Sequence, residues 1–200
     1  MNDINYLIKT ASGISQISGN AKLTSLRKVT IEGEINDATA SEFFKKIYLL
    51  NLEDTEKGIT VFINSPGGET TAGFRIYDTI QTSKAPITLV CTGKAYSMAA
   101  IIFASGNHGR YMLLNSELML HEPLLAYDTS GNTTHIKEVS DRLIQTKDKT
   151  NLLISRHTGK TIEEVTQATS YNHYFSASEA IQFGLCDKII TLDYLLEENE

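Results

Sequence analysis

Apolar and polar positions alternate with a period of two along residues 29–34 (VTIEGE), which predicts a strand. Phe43, Phe44, Ile47 and Leu50 then recur at helical spacing, with Asp37 placed to cap their helix. Residues 59–63 are nearly all apolar, as in a parallel strand covered on both faces. That run ends in Asn64-Ser65-Pro66-Gly67-Gly68, and a helix is expected over about residues 70–82. A third apolar strand, residues 87–91, leads through Thr92-Gly93 to Ser97 and a helix-like run of small and apolar residues from Met98 to Ala104. Three strands each followed by a helix predict an α/β fold with a mostly parallel sheet.

The second half reads differently. Residues 111–114 and 117–120 form two short strand patterns, the second ending at His121-Glu122-Pro123. After a loop containing Gly131, a long helix is expected over about residues 134–156, with Ile136, Val139, Leu143 and Ile144 as its apolar positions. At 1.5 Å per residue it spans about 35 Å, and its partial stripe suits a helix that projects towards another subunit. A shorter helix (161–168), Tyr174-Phe175-Ser176, a helix (177–183) and a last strand (186–190) follow, then an acidic tail expected to be solvated. Residues 1–26 are polar, with scattered Ile and Leu, and read as a flexible arm; residues 27–200 read as one domain.

Two hundred residues, 41% hydrophobic and 21% charged, are enough for one globular domain with a substantial core. A net charge of −6 argues against nucleic-acid or anionic-membrane binding. No apolar run reaches the ~18 residues of a membrane span, and residues 1–20 lack a basic stretch followed by an apolar one. Cys91 and Cys186 sit in apolar strand-like settings and read as buried thiols. A cytoplasmic protein is expected.

The candidate chemistry starts at Ser97. A serine between a strand end and a helix start holds its hydroxyl near unpaired backbone N–H groups, a geometry that suits a nucleophile. The same position also suits a plain helix cap. The G-x-S-x-G elbow is absent, because Tyr96 precedes Ser97 and Met98-Ala99 follow it. The Gly67-Gly68 turn lets backbone approach another atom closely, with the Gly68 and Met98 N–H groups as candidate oxyanion donors; it also fits an ordinary strand-to-helix turn. His121 lies at a strand end before a proline, as either a structural or a catalytic histidine. The other histidines, His108, His135, His157 and His173, have no metal-ligand spacing to a second donor, so no metal or cofactor is expected.

FINSPGGETTAG (residues 62–73), GKAYSMAA (93–100), MLHEPL (119–124) and YFSASEAIQFGLCD (174–187) resemble, in order and spacing, the ClpP family of serine peptidases. The similarity covers roughly residues 29–190. It implies the ClpP/crotonase-like fold with a projecting handle helix, the handle region lying at about 124–157. It implies Ser97 as nucleophile, His121 as general base, and Gly68 and Met98 as oxyanion donors. An extended peptide would bind beside Gly67 and along Pro123, Leu124 and Leu125. The family's heptameric rings, stacked face to face and fed by a AAA+ unfoldase of the ClpX, ClpC or ClpA type, would be the partners.

The departures from the family pattern fall at defined places. Asn172 stands where the family has the aspartate of the triad, and Tyr171 stands where it usually has an arginine that organises ring stacking. Thr60 and Thr82 replace aromatics of the ATPase-docking pockets, while Phe62 and Tyr111 keep them. These features imply a peptidase subunit weak by itself and active in a mixed barrel with a paralogue. A largely structural ring subunit is the alternative, and an acyl-CoA enzyme of the crotonase type is a third reading that needs no Ser/His pair.

Overall fold

The computed structural model describes residues 4–10, 13–125 and 128–197, so expectations for residues 1–3, 11–12, 126–127 and 198–200 lie outside it. The polar arm is not featureless. Strands β1 (Asn5–Thr10) and β2 (Gly13–Ser18) pair antiparallel, and a short helix α1 (Gly19–Ser25) follows, capped by the Ser18 hydroxyl at the Ala21 N–H. The hairpin is built from backbone pairing with its side chains largely exposed, so its sequence carries little apolar alternation.

The expected strand–helix alternation then unfolds. β3 (Lys28–Glu32), α2 (Asp37–Glu53), β4 (Ile59–Ser65), α3 (Thr70–Thr82), β5 (Ile87–Tyr96) and α4 (Met98–Ala104) succeed one another, with β3, β4 and β5 parallel. Helix α2 is capped by Asn36, whose Oδ1 accepts from the Thr39 N–H, while Asp37 lies in the first turn; the expected cap was one residue too late. Phe43, Ile47 and Leu50 face the core, but Phe44 is exposed. In β4 only Ile59, Val61, Ile63 and Ser65 are fully buried, so one face of this strand meets the core and the other is half-covered.

β5 organises the sheet. It runs on past Cys91 to Tyr96, five residues further than its apolar run. Its first half (Leu89, Val90, Cys91) pairs with β6 (Arg110–Leu113), and its second half (Lys94, Ala95, Tyr96) pairs with β7 (Glu117–Leu120). The sheet therefore forks at Thr92-Gly93. A Cβ on Gly93 would lie 2.9 Å from Asn64 Oδ1, so glycine lets the two strands approach there. After α5 (Thr133–Thr158) and α6 (Ile162–Thr169), β8 (His173–Ser176) pairs antiparallel with β7. α7 (Ala177–Phe183), β9 (Lys188–Ile190, parallel to β6) and α8 (Leu192–Glu197) complete the chain.

All seven residues of α4 are buried, which places this helix in the core behind the sheet. The long helix α5 is buried only around Thr150, Asn151, Leu153 and Ile154; Ile136 and Ile144 on its first half are exposed, so it projects. α8 corrects the reading of the tail as solvated. Leu195 is buried with Val90 and Ile190, and Phe62, Tyr111, Leu113 and Tyr194 pack around them. No helix among the described residues is long and apolar enough to cross a membrane.

Candidate active site

Ser97 joins β5 to α4 with φ 55° and ψ −124°, a conformation that costs a non-glycine residue about 1–3 kcal/mol. Surrounding bonds hold it there. Its N–H donates to the Met119 carbonyl of β7 at 2.8 Å, and its carbonyl accepts from the Ala100 and Ile101 N–H groups of α4. The hydroxyl makes no capping bond to the helix. Instead Ser97 Oγ lies 2.7 Å from His121 Nε2, so the plain-cap reading fails and the two candidate residues meet.

His121 directly follows β7, whose parallel pairing with β5 carries it alongside the strand that ends at Ser97. The next residue is tied down twice. The Glu122 N–H donates to the Thr169 carbonyl at 2.8 Å, and its carboxylate pairs with Lys147 of α5 at 2.5 Å. One step beyond the last β7–β8 pair, Leu120↔His173, the register sets Asn172 opposite His121. No hydrogen bond joins them: the Asn172 side chain is exposed, and His121 Nδ1 has no partner among the described residues.

The glycine turn closes on the same point. Gly67 has φ 91°, and a Cβ there would sit 2.6 Å from the Tyr96 carbonyl, 2.8 Å from Ser97 Cβ and 3.1 Å from the Met98 nitrogen. Only glycine permits this approach. The Gly67 N–H donates to Ser65 Oγ and its carbonyl accepts from the Ile35 N–H, so its contribution beside Ser97 is room. Gly68 bridges to Ile35, whose carbonyl would lie 2.1 Å from an added Cβ. Among the described residues, neither the Gly68 N–H nor the Met98 N–H has an acceptor. Met98 is the first residue of α4, where an amide has no intrahelical partner. Its side chain packs on Gly73 of α3, where an added Cβ would meet it at 2.1 Å.

Ser65 is a site residue that pattern reading passed over. It is fully buried, accepts from the Gly67 N–H and donates to the Gly33 carbonyl at 2.6 Å, which fixes the turn. The available signal was its parity: it occupies the core-facing row of Ile59, Val61 and Ile63, where a hydroxyl needs partners.

Beyond His121, Pro123, Leu124 and Leu125 make no backbone hydrogen bond to another described residue, and Leu124 and Leu125 are exposed. An extended segment with open backbone groups can take a further strand. Cys91 and Cys186 are free and buried, and burial pushes the pKa of each thiol up to about 11, so neither is a ready nucleophile at neutral pH. No group of three or more His, Cys, Asp or Glu able to hold a metal ion occurs among the described residues.

A strained serine at a strand–helix junction, a histidine in contact with its hydroxyl and two vacant amides form an arrangement that can attack a carbonyl and hold the resulting oxyanion. The family model described as Clp protease matches residues 12–193, nearly the whole chain. The mixed α/β architecture, with its mostly parallel sheet and flanking helices, agrees with the ClpP/crotonase-like fold. This chain belongs to the Clp protease family.

Proposed function

We propose that the chain is the proteolytic subunit of a compartmentalised, cytoplasmic serine endopeptidase that cleaves unfolded polypeptides fed by a AAA+ unfoldase. The observation that carries this reading is the 2.7 Å contact of Ser97 Oγ with His121 Nε2 beside the vacant Gly68 and Met98 amides. A peptide pairs as an added strand along Pro123, Leu124 and Leu125, placing a scissile carbonyl over Ser97. His121 Nε2 takes the hydroxyl proton as Oγ forms the new C–O bond, and the carbonyl oxygen, now negative, accepts from the two amides. Collapse of the tetrahedral intermediate breaks the C–N bond, and the imidazolium gives its proton to the leaving amine. Water then repeats the sequence on the acyl-enzyme: His121 takes its proton, a second oxyanion forms in the same place, and Ser97 regains its proton as the acid product leaves.

Asn172 limits this chemistry. An aspartate there would orient the imidazole and stabilise its charge; an asparagine brings no charge, and here it makes no bond to His121. The pure chain is therefore a weak peptidase, and full activity needs a mixed particle in which a paralogue ring stacks on this one. The unbonded Asn172 also favours a second reading, a ring subunit that is largely structural or regulatory. A fluorophosphonate separates the two: under the peptidase reading it labels Ser97, and failure to label Ser97 even in the assembled mixture supports the structural reading. Replacement Ser97→Ala tests the nucleophile itself. Under the peptidase reading it abolishes this subunit's hydrolysis of small peptides while the ring persists. Turnover in the purified variant equal to wild type would place the nucleophile elsewhere.

A further inference from the structure

Tyr96, the residue before Ser97, is half-buried and reaches well beyond its own strand. Its hydroxyl donates to Glu117 Oε1 of β7 at 2.5 Å. Its ring meets Tyr174 of β8 edge-on, with centroids 5.7 Å apart and planes at 88°, and Lys94 Nζ lies 5.6 Å from its centroid. The registers explain why these groups meet. Tyr96 pairs with Met119 and Met119 with Tyr174, so the two tyrosines flank Met119 in one row across β5, β7 and β8. Lys94 and Glu117 form the neighbouring pair in that direction. In the other direction, the same face carries His121 and Asn172, two residues from Met119 and Tyr174 respectively.

One side chain thus touches each of the three strands whose ends carry Ser97, His121 and Asn172. We propose that Tyr96 is a positioning residue, a clamp that holds these strand ends together and thereby sets the Ser97–His121 contact. The inference rests on the catalytic reading given above. Two features make the clamp matter. Ser97 occupies a positive-φ conformation, so the orientation of the preceding peptide decides where its hydroxyl points, and that peptide's carbonyl is wedged against Gly67. On the far side, β8 pairs with β7 and with no other described strand, and the Tyr174 ring on Tyr96 ties it directly to β5. The Tyr96 phenol is pushed up to about 12 by its bond to Glu117, with burial adding to this, so it stays a donor throughout the neutral range.

Steady-state hydrolysis of a short fluorogenic peptide, in particles of matched assembly state, tests the clamp. Tyr96→Phe keeps the ring and removes the bond to Glu117; kcat is expected to fall about tenfold with KM unchanged. Glu117→Ala is expected to lose as much, the double variant no more than either single, and Glu117→Gln, which keeps an acceptor oxygen, to recover most of the rate lost in Glu117→Ala. A merely structural brace would lower the melting temperature and leave kcat per particle intact. Wild-type kcat in Tyr96→Phe, losses that multiply in the double variant, or an effect confined to KM would each overturn the clamp. Should Tyr96→Phe fail to assemble, Tyr174→Leu and Glu117→Ala read the same quantity from the other two strands. A fluorophosphonate adduct on wild-type Ser97 keeps the outcomes apart: with it present, an unaffected Tyr96→Phe removes only the clamp; with it missing, the catalytic reading fails and the clamp with it.

Discussion

Ser97 and Gly67 share one steric problem. The serine's positive φ turns its carbonyl into α4 and its hydroxyl towards His121, and the preceding carbonyl then leaves no space for a Cβ on Gly67. Gly67→Ala is expected to destabilise the fold by about 2 kcal/mol and to cut peptide turnover further than its stability loss explains. Thermal melts and turnover on the same preparation check this; a variant with wild-type melting and turnover would mean that the turn relaxes freely. At Asn172 the expected change has the opposite sign. Asn172→Asp supplies a negative charge opposite His121, and kcat is expected to rise about tenfold, equivalent to about 1.4 kcal/mol of barrier, with KM little changed. A variant no faster than wild type in matched particles would show that assembly limits the rate. Ser97, His121 and the glycine pair were legible because each stands at a strand end marked by Gly or Pro. The residues alone left a cap or a nucleophile open; the Ser97 hydroxyl makes no capping bond and lies 2.7 Å from His121 Nε2, which supports the nucleophile reading.

At the level of elements, β5 leads directly into Ser97 and pairs with both halves of the forked sheet, and half of it was not legible. The strand read over residues 87–91 runs out at Thr92-Gly93, yet pairing of residues 94–96 with β7 continues it, a contact distant in sequence. The hairpin of β1 and β2 and the burial of Leu195 were missed for the same reason: backbone pairing and tertiary packing leave weak periodic signals. α4, α3 and α7 were read to within a residue because their apolar faces are wide and their ends are punctuated. The handle helix α5 ends in a titratable junction. His157 Nε2 lies 2.8 Å from the Tyr77 hydroxyl, its carbonyl accepts from Arg110, and burial, with the charges of Arg110 and Arg156, holds its pKa below the usual 6.5. The unfolded chain therefore binds a proton here more readily than the folded one. The junction's stability is full above pH 6.5 and falls as the pH drops below it. Melting at pH 7.5 and 5.5 is expected to show a smaller acid loss in His157→Gln than in wild type; equal losses would assign the effect to other groups.

The whole molecule presents two surfaces that a lone subunit leaves uncovered. α5 projects Ile136 and Ile144, and a groove of about 790 Å³ between α2 and α3 is lined by Phe44, Tyr48, Leu52, Phe74 and Thr82 among others. Under the proposed function these surfaces serve assembly. Tyr171, which is 85% exposed, offers no charge for an ion pair between stacked rings, so the pure chain is expected to sediment as single rings or a mixture at micromolar concentration. A double ring that survives dilution would refute this. Thr82 in the groove, and the half-buried Thr60 on β4, give an ATPase less apolar area than aromatic anchors would, so capture of an unfoldase by the homomeric particle is expected to be weak. Activation of Ser97 by His121 is read out by intact-mass spectrometry of the assembled particle after treatment with a fluorophosphonate. One adduct per subunit mapping to Ser97 is expected, absent from Ser97→Ala and formed much more slowly in His121→Ala. An unmodified Ser97 in the assembled particle, or an adduct that forms as fast without His121, would contradict it.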